Sequence, residues 1–169
     1  MTTKGEFIIE AHRDWAPYGV DRFYNLVQAN YFNNIPLYRI VPKFVAQFGG
    51  IDSLNESYIS KQILPDDTVK ISNDSAFVAY ARDGALSRSS QFYINLKNNS
   101  RLDTVNYKGL KGFAVIGKVV KGMEVVLQFY SYGNKPNHII DSLKNPASYF
   151  KENFPKMDYI IKGKIISEN

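Results

Sequence analysis

Cysteine is absent from this chain of 169 residues, which excludes disulfides, thiol nucleophiles and thiolate metal sites together. Histidine occurs only twice, as His12 and His138. A histidine-rich metal centre or a nucleophile-histidine-acid triad is therefore poorly supplied, and both histidines read as surface residues. No pair of carboxylates has a spacing that points to hydrolysis. No apolar run approaches the roughly 18 residues that a membrane span requires, so no transmembrane helix is expected. The opening MTTKGEF lacks the apolar core of a secretory leader. On the chain as given the expectation is a cytoplasmic protein, or an exported or periplasmic one if this is the mature form of a longer precursor. Internal repeats and low-complexity tracts are missing as well.

What is present suits one globular domain over residues 1–169, with 44% hydrophobic and 22% charged residues and enough length to bury a core without staples. The net charge of +5 is unevenly spread. Residues 1–85 hold 8 basic and 10 acidic side chains, net −2, whereas residues 86–169 hold 13 and 6, net +7. Such asymmetry permits a basic surface that meets acidic partners. The lysines are scattered and no basic run interleaves with aromatics, so nucleic-acid binding is not expected.

The most informative stretch is LYRIVPKFVAQFGG, residues 37–50. Two apolar, β-prone runs, 37–41 and 44–48, flank Pro42-Lys43, which reads as a tight turn, and Gly49-Gly50 closes the unit. Alternation puts Leu37, Arg39 and Val41 on one face of the first strand, and Val45 and Gln47 on one face of the second. If the two faces coincide, a guanidinium and a carboxamide share an apolar floor with Phe44 beside them, a surface suited to gripping a short peptide. Taken alone, a strand arginine reads first as the solvated side of a half-buried sheet.

Along the rest of the chain, residues 5–11 have strand composition. Pro17 suits the first turn of a helix in which Val20, Phe23, Tyr24 and Val27 form one stripe. Asn33-Asn34 turns the chain into the hairpin. Residues 51–75 read as a long polar surface excursion. Strands follow at 76–81, 91–95 and 113–119, a second short helix at 122–130, a possible third at 147–153, and a closing strand at 157–166. Many strands with isolated helices argue against a parallel α/β fold and for a mainly β, antiparallel barrel of about eight strands, closed and capped by two helices.

Several separated segments carry a resemblance: KGEFIIE, APYGVDRFYNLV, YRIVPKFVAQFGG, SSQFYI at 89–94, RLD at 101–103, GKVVKGMEVV at 117–126, and the ending SYFKENFPKMDYIIKGKI. In that order they resemble the cyclophilin family of peptidyl-prolyl cis-trans isomerases, and the ending is similar to that of bacterial members. The resemblance places the family's catalytic arginine on Arg39, its peptide-gripping glutamine on Gln47, and its proline pocket on Phe44, Val45, Tyr93, Leu102 and Phe113. It places the residue that meets substrate backbone on Ala81, with Arg82 next to it. Tyr38 stands where the family motif has histidine, Val45 where it has methionine, Arg101 where many members have tryptophan, and Phe113 where they have the active-site histidine. The tryptophan is associated with tight cyclosporin binding, so weak binding of that drug is expected here.

The implied function is rotation about X-Pro bonds in peptides and flexible protein segments, assisting folding, by a monomer that needs no metal or cofactor. Rotation breaks no covalent bond. A permanently charged arginine can donate to the twisted prolyl amide without proton transfer. A reading from another class is a cyclophilin-like module that binds proline peptides within a larger assembly with little turnover. A generic ligand-binding β-barrel is a third reading and has no motif of its own.

Overall fold

A computed structural model describes residues 1–50, 61–138 and 146–168. The elements run β1 (Ile8–Ala11), α1 (Pro17–Gln28), β2 (Ile35–Pro36), β3 (Arg39–Val41), β4 (Val45–Gly49), β5 (Phe77–Tyr80), β6 (Gln91–Asn95), β7 (Asn106–Tyr107), β8 (Leu110–Lys111), β9 (Val115–Lys121), α2 (Met123–Val126), α3 (Pro146–Asn153) and β10 (Tyr159–Ile160). Single 3-10 turns cover Ser100–Asp103 and Pro136–His138. The fold is mainly β with three helices among the described residues.

Six strands form one antiparallel sheet in the order β1-β9-β5-β6-β4-β3, while β10 pairs with β2 and β7 with β8. The closed ring expected from the sequence is not completed by strand pairing among the described residues. The large sheet ends at β1 and β3, and β2 takes β10 as its partner instead.

Alternation along these strands sorts the two faces of the sheet. Ile40, Ala46, Phe48, Val78, Tyr80, Phe92 and Ile94 enter the main core with Leu26, Phe32 and Ile116. The Phe48 ring stacks on Phe92 there, Tyr80 meets Phe92 at a tilt with 4.2 Å between centroids, and Phe23 and Phe32 join them at 5.2–5.9 Å. The residues between them, Arg39, Val45, Gln47, Ala79 and Tyr93, therefore emerge on the opposite face. A second, smaller cluster gathers there, made of Val45, Ala79 and Tyr93 with Phe44, Ala81, Leu102 and Phe113 packed against it.

Helix α1 begins with Pro17 in its first turn, as expected, but Ala16 at its N-terminal boundary has no side-chain oxygen to cap it. Asp67 takes over that role, accepting from the backbone N–H of Tyr18 at 3.2 Å and of Gly19 at 2.8 Å. The carboxylate also accepts from Arg88 Nη1 at 3.0 Å, both side chains being buried. Part of the polar stretch after the hairpin is thus strapped down by a buried ion pair; of the expected surface excursion, 51–60 lies outside the described residues. The expected apolar stripe is only partly matched: Val20 is buried, Phe23, Tyr24 and Val27 are half-buried, and Leu26, outside the expected stripe, is fully buried.

Two expected elements are shorter than their composition suggests. The helix expected over 122–130 is a single turn, because beyond Val126 the chain turns to bury Phe129 and leaves Leu127 exposed. The strand expected over 157–166 pairs only at Tyr159–Ile160. Beyond that, Ile161 and Lys162 donate their N–H groups to the carbonyl of Met1, so a chain end replaces a strand as partner. The third helix forms as expected. No helix among the described residues is long and apolar enough to cross a membrane.

Candidate active site

The site begins with the turn at Pro42-Lys43, where Lys43 adopts φ of 59° and Phe44 N–H donates to Val41 O at 3.0 Å. This closure sets β3 against β4 with Arg39 opposite Gln47 and Val41 opposite Val45, so the two faces coincide. Gln47 is in turn opposite Tyr93 on β6, and Tyr93 opposite Ala79 on β5. Arg39, Gln47, Tyr93 and Ala79 therefore form one row across four strands.

The guanidinium of Arg39 is aimed from two sides. Its Nε donates to Asn134 Oδ1 at 2.6 Å and its Nη1 to Gln47 Oε1 at 2.8 Å. Nη2 has no hydrogen-bond partner among the described residues. Gln47 is buried, and its Nε2 donates to the Tyr38 hydroxyl at 2.8 Å and to Gln91 Oε1 at 3.1 Å. The amide orientation is thereby set, with its oxygen toward Arg39. Burial pulls the Arg39 pKa below its ordinary value, with Tyr38 opposing the shift. A guanidinium remains charged at neutral pH after such a shift.

Apolar walls surround this row. The Phe44 ring has the Arg39 Cζ 5.8 Å from its centroid and the Arg101 Cζ 5.1 Å from it. Phe113 meets Tyr93 edge-on at 6.2 Å. Leu102, in the 3-10 turn, accepts the Phe113 N–H at 2.9 Å and donates its own N–H to Asn99 O at 2.8 Å. Ala81 just follows β5 and bonds through its N–H to Gln91 O at 3.0 Å. Arg82 lies over Phe113, with Cζ 4.2 Å from the ring centroid. Its guanidinium donates to the carbonyls of Tyr107, Leu110 and Gly112 at 3.1, 2.9 and 2.5 Å. Arg82 thus pins the β7-β8 hairpin beside the pocket through its two terminal nitrogens, while its buried Nε has no hydrogen-bond partner among the described residues. The site residues expected from the sequence converge on this face, whereas the Tyr38 ring packs with Phe150 and Met157 and reaches the site only through its hydroxyl.

Behind the walls lies a polar hub that sequence reading missed. Asn73 is fully buried, although it sits in a run that reads as surface loop. Its Oδ1 accepts from the Tyr93 hydroxyl at 2.8 Å and from Asn95 Nδ2 at 3.3 Å. Its Nδ2 donates to Asp103 Oδ1 at 2.9 Å and to Phe113 O at 2.8 Å. Asn99 continues the network, donating to Asn95 Oδ1 at 2.8 Å and to Phe44 O at 2.9 Å. Burial raises the Tyr93 pKa far above the usual tyrosine value. Its hydroxyl is held as a neutral donor turned away from the pocket, leaving the ring as an apolar wall. Asn134 is a second omission; no local pattern connects it to an arginine far back in the chain.

A different groove, between β1, α1 and residues 162–168, is lined mainly by Phe7, Ile9, Val27, Phe32 and the chain end and holds none of these groups. Among the described residues no three histidine, aspartate or glutamate side chains are grouped to hold a metal ion.

The family model described as cyclophilin type peptidyl-prolyl cis-trans isomerase/CLD matches residues 1–144. The chain belongs to this family. A peptidyl-prolyl cis-trans isomerase of Acinetobacter baylyi is 32% identical over 127 residues, covering 74% of this chain and 66% of the relative. Peptidyl-prolyl cis-trans isomerase A of Dickeya dadantii is 31% identical over 128 residues, covering 73% and 65%. The chain thus spans just under two thirds of the length of these two relatives. A crystal structure of a Cryptosporidium parvum cyclophilin type isomerase superposes with a TM-score of 0.69 at 16% identity, covering 99% of this chain and 95% of the other. The same Cryptosporidium parvum isomerase in the presence of the dipeptide Ala-Pro gives 0.59 at 18% identity, covering 74% and 78%. These likenesses establish a cyclophilin fold. Within it, Tyr38 is a buried partner of Gln47, and Arg101 stands exposed at the rim.

Proposed function

We propose that this cyclophilin is a peptidyl-prolyl cis-trans isomerase that rotates X-Pro bonds in peptides and flexible protein segments and so assists folding. The observation that carries the reading is the Arg39-Gln47 pair. A guanidinium held at Nε and Nη1, with Nη2 left over, borders a pocket whose walls are Phe44, Val45, Tyr93, Leu102 and Phe113.

Amide resonance sets a barrier of about 18–20 kcal/mol, and uncatalysed X-Pro exchange takes roughly tens to hundreds of seconds. In the twisted state the prolyl nitrogen loses conjugation and becomes a hydrogen-bond acceptor. Arg39 Nη2 donates to the prolyl amide, stabilising that state more than either planar isomer. The apolar walls hold the ring, while the backbone around Ala81 holds the residue before proline. Gln47 acts chiefly by aiming Arg39, since both hydrogens of its Nε2 are taken by Tyr38 and Gln91. No bond is broken, so the step needs no cofactor. In the same reading residues 1–169 act as one domain, its strands curled into a barrel with β2 beside β4 and α1 beside β9.

The test compares the chain with its Arg39→Ala variant on a short X-Pro peptide, with exchange read by NMR. The variant is expected to lose about 10²–10³-fold, as for removal of one preorganised donor; equal rates would remove Arg39 from the mechanism. A proline-peptide-binding module with little turnover is the second reading, favoured by the exposed cation at Arg101. Peptide binding without acceleration in the same assay would establish it.

A further inference from the structure

We propose that the site selects proline segments with an acidic residue on the C-terminal side of the proline, and that Arg101 is the specificity-determining residue. The inference rests on the isomerase reading for the placement of the proline ring. Its electrostatic part rests on the rim alone.

Two guanidiniums share one aromatic ring. Arg101 and Arg39 lie 5.1 and 5.8 Å from the Phe44 centroid, and stacking on a ring face holds a guanidinium at less entropic cost than free solution does. Among the described residues neither has a carboxylate within ion-pair distance. Arg39 is committed to the prolyl amide, whereas Arg101 is exposed and, among the described residues, has no hydrogen bond through its side chain.

The nearby acids are spent elsewhere. Asp103, two residues on, turns inward to accept from Ser72 Oγ at 2.5 Å and from Asn73. Asp83 pairs with Lys108 at 2.6 Å. Two more cations come close through the backbone. Lys43 immediately precedes Phe44, and Lys97 follows Leu96, whose N–H donates to Phe44 O at 2.9 Å; both lysines are exposed. Of the four cations around the Phe44 edge of the pocket, Lys97 and Arg101 come from the basic second half of the chain.

Direction follows from connectivity. With the prolyl amide and its carbonyl at Arg39 and the preceding residue at Ala81, the chain leaves the site past Phe44, toward Arg101. On the Ala81 side the cation is Arg82, which is half-buried over the Phe113 ring with its terminal nitrogens bound to three backbone carbonyls. The exposed guanidinium free to turn to a carboxylate, that of Arg101, therefore meets the residues after proline, whereas Arg82 on the other side is fixed in place by its carbonyl bonds. An exposed ion pair of this kind is worth up to about 1 kcal/mol, about fivefold in affinity at 1.4 kcal/mol per tenfold.

The experiment measures NMR exchange for three peptides alike except at the residue after proline, which is Glu, Gln or Lys. The full chain is expected to favour Glu over Gln over Lys, with kcat/KM about fivefold or more apart between Glu and Lys at low ionic strength. The spread should shrink between about 0.02 and 0.5 M salt. Arg101→Gln should narrow the spread, and Arg101→Glu should reverse its order. The ratio between peptides is internal to each variant, so a change in folded fraction does not affect it. Equal rates on the three peptides, or an Arg101→Glu variant that still favours Glu, overturns the proposal. A larger preference for Glu before proline than after it also overturns it. If no peptide is isomerised, the isomerase reading falls separately. Dissociation constants for the same three peptides then decide selectivity: tighter binding of the Glu peptide, lost in Arg101→Glu, supports it, and equal or absent binding overturns it.

Discussion

Replacing Asn73 by alanine tests whether the pocket walls are held from behind. The side chain is fully buried and makes four hydrogen bonds. Two of its partners keep a substitute, since Asp103 Oδ1 still accepts from the residue-73 backbone N–H and Asn95 still donates to Phe77 O. The Tyr93 hydroxyl and the side-chain bond to Phe113 O have none. Leaving a buried polar group unpaired costs about 1–3 kcal/mol. The expected loss for two such groups is about 2–6 kcal/mol, or a fall in Tm of roughly 4–24 °C for a domain of this size. Urea unfolding should show a lower midpoint with an unchanged slope. Asn98→Ala, on an exposed side chain that accepts the Ser100 N–H at 3.1 Å, should cost less, about 1 kcal/mol. Combined with Tyr93→Phe, the cycle should give a coupling of about 1 kcal/mol or more. In the folded variant, loosened Tyr93 and Phe113 should lower kcat/KM on an X-Pro peptide by about tenfold. A stability loss below about 1 kcal/mol, or strict additivity with Tyr93→Phe, would refute the hub.

Two further outcomes follow from the same geometry. Burial raises the pKa of both Tyr80 and Tyr93, so above pH of about 10 the unfolded chain releases protons that the folded chain keeps. Stability from each is complete below that pH and falls by about 1.4 kcal/mol per pH unit above it, until the folded pKa is reached. Stability curves near pH of about 11 should therefore be shallower in Tyr93→Phe by about that amount per unit, and an unchanged slope would refute the assignment. For cyclosporin, Arg101 replaces an indole N–H and its apolar area with an exposed guanidinium. Calorimetry should show weak binding that Arg101→Trp tightens by about tenfold or more, and a dissociation constant below about 1 μM for the unaltered chain would contradict this.

The parts of this molecule that could be read from its sequence are those that alternation and a turn determine together. Pro42-Lys43 closes a hairpin whose register follows from its length, and a one-residue slip would send Arg39 and Gln47 into the core. Their pairing was therefore legible, as was the exposure of the site face, because Ile40, Ala46 and Phe48 already claim the other side. Family motifs added Tyr93, Leu102 and Phe113, which are brought to the hairpin only by pairing across β6 and by the 3-10 turn. Illegible were the groups whose partners are chosen by loop closure. Asn73 lies in a polar run that reads as surface, yet it joins Tyr93, Asn95, Asp103 and Phe113 at sequence separations of 20–40 residues. Asn134 reaches Arg39 across 95 residues. The shortened final strand is the converse case, since its apolar composition suggested a ladder and the partner turned out to be the carbonyl of Met1. A strand carries its face assignment locally, whereas a buried amide is justified only by groups that fold around it. On the proposed function the alternating rows supply the chemistry of this site and the buried asparagines its rigidity, and variants of the two sets should separate: Arg39 changes should act on turnover, Asn73 changes on stability and turnover together.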